Sequence, residues 1–342
     1  MTTIKDVARR AGVSIATVSY VLNGTGAVSE PTRQKVLRAV EQLGYRPSVI
    51  AQGLQARASR MIGYSWQPMP PDQFNPILEK FLHGMAEAAA RHGYHVLAFP
   101  STSPSDEVAP YREMVETGRV DGFVLSNTNL DDPRIQYLLD ADFPFVAFGR
   151  SNAGLDFPWV DVDGVDGVEQ AVRHLVELGH RRIACLAWPE DSLTGQYRLQ
   201  GYCRAMADAG LGVEPEWIVR TGNFYQEAHR DARPWFALSL DRRPTAVVAL
   251  TDLMAMGVMN AVVDAGLAVG GDVAVIGFDD SPVAGYLQPP LTSLRQPLAE
   301  VGELVVTMLI DLVRGQALAR SQVLLRPRLI VRDSTLRSRL GS

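Results

Sequence analysis

The distribution of apolar and polar positions divides the chain into two parts with different periods. In the first sixty residues, apolar positions recur every three or four residues, which is the spacing of short amphipathic helices. After Arg60, short apolar runs alternate with longer amphipathic stretches, which is typical of strands separated by helices. The pattern predicts an all-α head followed by an α/β body.

The first two helices of the head have clear sequence signals at their ends. Thr3 and Asp6 have the spacing of a capping box, and Gly12 ends the first helix. Ser14 is predicted to cap the second helix, which ends at Asn23-Gly24. Its inward face is predicted to be Val18, Val21 and Leu22.

A third helix is predicted to begin after Ser29, which would cap it, with Pro31 in its first turn. It ends before Gly44. Its buried stripe is predicted to be Val36, Leu37, Val40 and Leu43.

The first two helices, joined by a tight turn at Gly12-Val13, form a predicted helix-turn-helix, whose second helix enters the major groove of DNA. Ile15, Ala16 and Tyr20 are predicted to contact base edges. Serine and threonine hydroxyls suit phosphate oxygens. The predicted DNA-contacting set on this helix is Ser14, Ile15, Ala16, Thr17, Ser19, Tyr20 and Asn23. The alternative is a small helical bundle with no DNA role.

The charge distribution supports the DNA-binding interpretation. Residues 1–60 carry nine Lys or Arg and three Asp or Glu, a net charge of +6, whereas the remainder carries 24 and 35, a net charge of −11. A small basic head on an acidic body is the layout of a protein that holds a polyanion at one end.

The body is predicted to contain repeated strand-helix units. The predicted strands are 61–66, 94–99, 122–125, 144–148, 183–187, 246–250 and 273–278. The predicted helices are 77–92, 111–118, 135–141, 167–178, 195–209, 228–240 and 252–265. This alternation predicts two doubly wound parallel-sheet subdomains that face a cleft, with ligands beyond the carboxyl ends of the strands.

Several predicted strands are followed by polar or aromatic residues that suit a ligand. Arg150, Trp188, Asp252 and Asp279 are in such positions, and guanidinium, carboxylate and aromatic groups together suit a sugar. Alternatives remain open for three of them. Asp252 could cap its helix, Asp279 and Asp280 could be turn residues, and Trp188 could pack between subdomains.

The sequence shows no metal site, no nucleophile elbow and no phosphate-binding loop. Cys185 and Cys203 lie in predicted strand and helix positions, and Asp161-Val162-Asp163 is interpreted as a crossover turn. We therefore expect no cofactor, no metal and no enzymatic activity. The first residues lack the apolar run of a signal peptide, and no segment is apolar enough to span a membrane, so a cytoplasmic location is expected.

The head resembles the lactose/galactose repressor family of bacterial transcription regulators. The resemblance lies in Ile4-Lys5-Asp6-Val7-Ala8, Gly12-Val13-Ser14, Thr17-Val18-Ser19, Val21-Leu22-Asn23 and Gly44-Tyr45-Arg46-Pro47, without gaps. It extends to about Thr335. It implies a body similar to periplasmic sugar-binding proteins, with crossovers near 157–162, 290–294 and 324–329.

The resemblance also implies a domain division. Residues 1–46 would be the DNA-binding domain, 47–60 the hinge and linker, 61–335 the effector-binding and dimerisation body, and 336–342 a tail. The subdomains would be approximately 61–160 with 292–324, and 161–291 with 325–335. In the hinge, Leu54 would wedge into the minor groove. The sequence departs from the common family hinge at Ser48, Gln52 and Gly53, and Gln52 removes a phosphate-contacting charge.

The resemblance assigns effector-binding roles in the cleft. Arg198 and Asp279 match the family's main anchoring residues, although an exposed ion pair would be an alternative for Arg198. Positions that often line the family's cleft are Phe74, Asn75, Arg150, Phe224, Asp252 and Gln296. Phe224, like Trp188, could instead pack between subdomains. Thr251 stands where many relatives carry Asn.

The combined prediction is a sequence-specific transcription regulator, expected to be a repressor. It would bind operator DNA as a homodimer and respond to a small molecule, expected to be a sugar, with no membrane partner. Two alternatives are a transport-type sugar-binding protein and a sugar-modifying enzyme with an added DNA-binding head. The missing signal peptide and the basic head oppose the first, and the absence of catalytic motifs opposes the second.

Overall fold

A computed structural model describes residues 2–23, 26–45, 58–66, 76–100 and 106–336. The chain divides into two compact units, Met1–Arg60 and Met61–Ser342. No helix in the described part of the chain is long and apolar enough to cross a bilayer.

The described part of the head contains three helices, α1 (Ile4–Ala11), α2 (Ile15–Asn23) and α3 (Glu30–Leu43). The predicted capping box is confirmed, because Asp6 accepts hydrogen bonds from the Thr3 amide at 3.0 Å and the Thr3 hydroxyl at 2.7 Å. Gly12 ends α1 with φ of 67°. Ser14 caps α2 as predicted, since its hydroxyl accepts from the Thr17 amide at 3.1 Å.

The prediction for α3 was wrong in two details. Ser29 lies at the N-cap, but its hydroxyl bonds to the hydroxyl of Thr32 at 2.9 Å instead of capping a main-chain amide. Leu37, predicted to be buried, is 47% exposed. Successive helical residues are about 100° apart, so Leu37 points away from the core that Val36 and Ala39 reach.

Each helix of the head contributes two residues to one small core. The buried residues are Val7, Ala8, Val18, Val21, Val36 and Ala39. Val18, Val21 and Leu22 face inward as predicted, Leu22 being partly buried.

The body alternates strands and helices, as predicted. Its strands are β1 (Met61–Trp66), β2 (His95–Pro100), β3 (Gly122–Ser126), β4 (Phe145–Phe148), β5 (Trp159–Val162), β6 (Ile183–Ala187), β7 (Ile218–Arg220), β8 (Ala246–Ala249), β9 (Ala274–Asp279), β10 (Thr292–Arg295), β11 (Gln322–Leu325) and β12 (Arg328–Ile330). Its α-helices are α4 (Pro76–Arg91), α5 (Ala109–Glu116), α6 (Pro133–Asp140), α7 (Gly164–Glu177), α8 (Leu193–Asp208), α9 (Tyr225–Phe236), α10 (Asp252–Asp264) and α11 (Leu298–Val313).

These strands form two six-stranded sheets. The first has the order β11-β5-β4-β3-β1-β2, and the second β12-β10-β9-β8-β6-β7. All pairs are parallel except β10 with β12. The predicted fold class, a helical head with two doubly wound sheets, is confirmed.

The chain crosses between the sheets three times, after Val162, Arg295 and Leu325. Thr292–Arg295 pairs in the second sheet, whereas Asp161, Val162 and Leu325 pair in the first, so the predicted boundaries at residues 161, 292 and 325 were all too early. The interpretation of Asp161-Val162-Asp163 as a turn was also wrong. Asp161 and Val162 end β5, and Asp163 caps α7 by accepting from the Asp166 amide at 3.0 Å.

The sequence pattern did not indicate β7 or α11. β7 has only three residues at a sheet edge and ends in a charged side chain. The apolar residues of α11 form a nearly continuous run, from which a helical stripe is hard to distinguish.

Both faces of each sheet are covered, because successive strand residues point to opposite sides. In β3, Phe123 and Leu125 pack with Tyr111 of α5 on one face. Val124, between them, packs with Phe81 and Val305 on the other. The sheets are therefore buried on both sides, and their exposed strand ends are where polar side chains gather.

Helices α4 and α11 approach closely because Gly302 of α11 has no side chain at their crossing. A β-carbon on Gly302 would lie 2.9 Å from the main-chain carbonyl carbon of Gly84 and the main-chain nitrogen of Met85. A β-carbon on Gly84 would meet only ordinary contacts, at 3.6 Å from Ala299 and 3.7 Å from Leu298.

We expect Gly302→Ala to lower the free energy of unfolding by roughly 1–3 kcal/mol, because overpacking forces the two backbones apart. Gly84→Ala, at the same crossing, is the matched control, and helix propensity should leave its stability unchanged or up to about 1 kcal/mol higher. Urea unfolding measures both. Equal effects of the two substitutions would contradict the close approach.

Candidate functional site

A cleft between the two sheets is lined by the residues at the carboxyl ends of their strands. The first subdomain contributes Ser126, Asn127, Thr128, Phe148, Gly149, Asp161 and Val162. The second contributes Trp188, Asn223, Thr251, Asp279 and Gln296, with Thr194 and Arg198 from α8. Ile77 and Leu78 of α4 complete the described lining. The predicted position of a ligand site in two facing parallel sheets is thus where the cleft lies.

Arg198 is the buried cation of the cleft. Its guanidinium stacks on the ring of Phe278, 3.6 Å from the centroid, and lies 5.1 Å from that of Trp188. One terminal nitrogen donates to the main-chain carbonyl of Leu250, and the other lies 3.8 Å from the Asp279 carboxylate. The sequence prediction placed Arg198 in the first turn of its helix. Because α8 begins at Leu193, Arg198 is its sixth residue and lies in the second turn.

Two buried donors in this cleft have no hydrogen-bond partner among the described residues. They are Nε1 of Trp188 and Nε of Arg198. An unpaired buried donor is unfavourable by roughly 1–3 kcal/mol, so buried donors are normally paired in folded proteins. Both of these atoms belong to residues that line the cleft.

Asp279 ends β9 with φ of 120°, a backbone conformation that residues other than glycine rarely adopt. One of its carboxylate oxygens accepts from the Gln296 amide at 2.7 Å. Burial raises the pKa of Asp279 to about 7, an effect that Arg198 opposes and Asp252 increases. Asp279 and Gln296, both predicted site residues, therefore lie in the cleft and contact each other.

The turn after Asp279 is held by several charged and polar groups. Asp280, also at positive φ, accepts from Arg295 at 2.5 Å and from Arg332 at 2.6 Å. Its amide donates to the Ser293 hydroxyl at 2.9 Å. These contacts hold the unusual backbone of Asp279 in place.

Asp252, predicted to contact the effector, is a structural residue in this geometry. Its carboxylate accepts from the amide and hydroxyl of Ser281 at 2.6 and 2.8 Å, and from the Ser293 hydroxyl at 2.5 Å. The alternative role of Asp252 as a helix cap was wrong, because Thr251 caps α10 through the Met254 amide at 3.2 Å. Asp252 thus stabilises the turn after Asp279 through Ser281 and Ser293.

Arg150, a second predicted ligand residue, does not line the described cleft. Its Nε donates to Asp161 at 2.6 Å, and its guanidinium stacks on Tyr197 at 3.6 Å from the ring centroid. Arg150 and Asp161 belong to the first subdomain and Tyr197 to the second. Burial raises the pKa of Asp161, and Arg150 opposes this effect. This contact connects the two sides of the cleft.

The remaining predicted ligand residues have different outcomes. Phe224 lies at the N-cap position of α9 and is not part of the cleft lining, whereas its neighbour Asn223 is. The Asn223 side-chain oxygen accepts from the Thr251 hydroxyl at 2.7 Å. Phe74 and Asn75 lie outside the described residues.

Sequence reasoning missed the contribution of the end of β3 and the loop that follows it. Ser126 ends β3, Asn127 and Thr128 come directly after it, and all three line the cleft. Their position after a predicted strand was a signal that could have identified them. Behind them, the buried Arg134 pairs with Asp132 at 2.7 Å and donates to the main-chain carbonyls of Ser126 and Asn127, which fixes this loop.

The predicted DNA-reading face of the head is accessible. Ile15 and Tyr20 are 45% and 49% exposed, and Ala16 is also exposed. Ser14 is exposed, and Thr17 and Ser19 are half-buried. The side chain of Asn23 and the whole of Leu54, like the remaining hinge residues 46–57, lie outside the described residues.

A helix-turn-helix head joined to a body with a cleft between two parallel sheets defines a DNA-binding regulator with a periplasmic-binding-protein-like body. Comparisons with known proteins agree with this class. Residues 3–48 match the family "Bacterial regulatory proteins, lacI family", and residues 172–335 match the "Periplasmic binding protein-like domain".

Individual relatives cover nearly the whole chain. The transcriptional repressor CytR of Escherichia coli K12 is 34% identical, over 97% of this chain and 96% of that protein. A solved complex of the transcriptional regulator CelR with cellobiose is 32% identical, over 98% of this chain and 100% of that one, with a TM-score of 0.74. The lac repressor dimer, bound to operator and the anti-inducer ONPF, is 28% identical over 98% and 99%, with a TM-score of 0.85.

The chain belongs to the LacI family. It is a DNA-binding transcriptional repressor of that family, not an enzyme.

We expect the protein to lose stability, relative to Asp279→Asn, as the pH rises from about 4 to about 7. Across this interval the unfolded carboxyl group, with a pKa near 3.8, is ionised, while the folded one retains its proton up to about 7. Each pH increment therefore favours the unfolded state of the wild type only. Urea midpoints at three pH values measure this, and identical pH dependence in both proteins would contradict it.

Proposed function

We propose that a carbohydrate effector binds in the cleft and changes the affinity of the head for operator DNA. The observation that carries this proposal is the pair of unpaired donors, Trp188 Nε1 and Arg198 Nε, in a cleft rich in hydroxyl and amide groups. Sugar hydroxyls accept such hydrogen bonds, and the Trp188 ring offers an apolar face to a pyranose. The cellobiose complex of the related CelR supports this ligand class.

On the DNA side, we propose that Ile15, Ala16 and Tyr20 read base edges while Ser14, Thr17, Ser19 and Asn23 contact the DNA backbone. Their placement on one helix and the accessibility of the first three support this role. A symmetric dimer would place two heads on the half-sites of a pseudo-palindrome, and the related lac repressor binds operator as a dimer. A protein that acts on the bacterial chromosome works in the cytoplasm. The wedge role of Leu54 and cleft contacts by Phe74 and Asn75 stay predictions.

The contacts between the subdomains suggest how the two activities are coupled. Arg150 stacks on Tyr197, and the Leu193 amide donates to the Asn129 side chain at 3.4 Å. A ligand that draws the sheets together changes these contacts and shifts the orientation of the first subdomain. Coupling free energies of this kind are typically ~1–3 kcal/mol, or roughly 5- to 150-fold in DNA affinity.

The test of effector control is a DNA-binding titration with and without neutral sugars. The binding sequence is first selected from random double-stranded DNA. Affinity is then measured with cellobiose and a panel of hexoses and pentoses, and we expect at least one sugar to change it. A DNA affinity that no sugar alters would contradict carbohydrate control.

We expect Trp188→Phe to weaken binding of the active sugar roughly threefold to tenfold, because it removes one hydrogen bond but keeps an aromatic ring. The unfolding temperature without sugar should be unchanged or higher, since an unpaired donor is lost. Trp235→Phe is the matched control. Trp235 already donates to the carbonyl of Glu216 at 2.8 Å, outside the cleft, so this variant should lose stability but retain sugar affinity. The reverse pattern would contradict the role of Trp188.

For the head, we expect Tyr20→Ala to change which DNA sequences are enriched in the selection, with stability altered by no more than about 0.5 kcal/mol. Leu37→Ala, on α3 and 47% exposed, is the control and should leave the preference unchanged. If both variants selected the wild-type sequences, Tyr20 would not be a base-reading residue.

A further inference from the structure

The arginines in and around the cleft share one property: each is already paired with a carboxylate. Besides the Arg198–Asp279 and Arg150–Asp161 pairs, Arg134 pairs with Asp132 behind the β3 loop. Arg220, which donates to the Trp188 carbonyl, lies 3.4 Å from Glu190. The charges of these four pairs cancel. The segments after β1 and β2, residues 67–75 and 101–105, contain no Lys or Arg.

Three helix N-termini around the cleft are capped by side chains. Such termini bind anions when their amides are free. At the start of α8, the Ser192 hydroxyl accepts from the Gly195 amide at 3.1 Å. At the start of α10, the Thr251 hydroxyl accepts from the Met254 amide. Asp163 caps α7. These side chains occupy the places that a phosphate or carboxylate would take.

The two unpaired donors of the cleft suit a neutral ligand. The indole Nε1–H of Trp188 is uncharged, and the free Nε–H of Arg198 belongs to a guanidinium whose charge faces Asp279. Asp161 and Asp279 also line the cleft, so an anion that approached either arginine would meet its partner carboxylate. Transferring an anion from water to such a site is unfavourable without a free cation.

We propose that the cleft selects uncharged sugars and excludes their phosphorylated and acidic derivatives. This inference rests on the proposed function and deepens it. The neutral hydroxyls of a sugar satisfy the two donors without disturbing any ion pair. A phosphate or carboxylate would have to displace Asp279 or Asp161 from its arginine.

The first arm of the test uses the full-length wild-type chain and the matched probes glucose, glucose 6-phosphate and glucuronate, with cellobiose and cellobionate as a second series. Thermal unfolding and tryptophan fluorescence are followed at constant ionic strength and at pH 8, above the pKa of about 7 of Asp279, so that the carboxyl group is ionised. We expect a neutral member to bind at least tenfold more tightly than its charged counterparts. Equal or tighter binding of a charged member would overturn the inference.

The second arm is independent of the identity of the sugar and uses inorganic phosphate. Asp279→Asn removes the carboxylate that faces Arg198, and we expect this variant to gain saturable phosphate binding that the wild type lacks. Asp161→Asn, which uncovers Arg150, provides a second route should the first variant fail to fold. Asp231→Asn is the control, because its partner Arg230 is largely exposed to solvent. It should gain no saturable binding.

The outcomes separate the two proposals. Saturable phosphate binding by the wild type would overturn the inference that the cleft excludes anions. So would a failure of both cleft variants to gain phosphate binding. If no neutral sugar binds the wild type while phosphate binding appears in the cleft variants, carbohydrate control fails but the exclusion of anions stands. Addition of Trp188→Phe to Asp279→Asn should remove the fluorescence response to phosphate, which places the bound anion at this cleft.

Discussion

The three crossings of the chain between the two sheets are the constraint on which the cleft depends. The chain leaves the first sheet after Val162, returns after Arg295 and crosses again after Leu325. These crossings hold the two sheets so that the carboxyl ends of their strands face the same cleft. Parallel strands bring all their loops to that edge. The polar groups of the site therefore come from widely separated sequence positions, yet no long loop is required to assemble them. Relative movement of the sheets is limited to what three short connections allow.

The cleft combines buried charge with unusual backbone geometry. Asp279 has a positive φ, and its position is maintained by the hydrogen bonds that Asp252, Ser293, Arg295 and Arg332 make around the turn. Strained residues at functional sites persist only where the surrounding structure fixes them. The turn is therefore built to present one carboxylate beside one guanidinium, and the remaining acids and arginines near it are occupied with each other.

The sequence was sufficient to predict the fold class, the helix-turn-helix and the edge on which the cleft lies, because periodicity and chain order determine all three. It also identified Arg198, Asp279, Gln296 and Trp188 as cleft residues. The sequence did not predict the direction in which some side chains point. A polar residue that follows a strand can face the cleft or the neighbouring turn, and Asp252 takes the second course. Leu37 shows the same problem on a helix, where a rotation of 100° separates the core from solvent.

The adjacency of Tyr197 and Arg198 in α8 has a consequence for engineering. Tyr197 contacts the opposite subdomain through Arg150, and Arg198 carries one of the two unpaired donors of the cleft. Any redesign that rebuilds this turn of helix will alter recognition and closure together, so a variant with a new specificity would carry an altered response. The loop after β3, fixed by Arg134, shares that linkage, because its Asn129 accepts from the Leu193 amide at the start of α8 and its Thr128 donates to the Arg150 carbonyl. Substitutions in this loop would therefore also reach recognition and closure together.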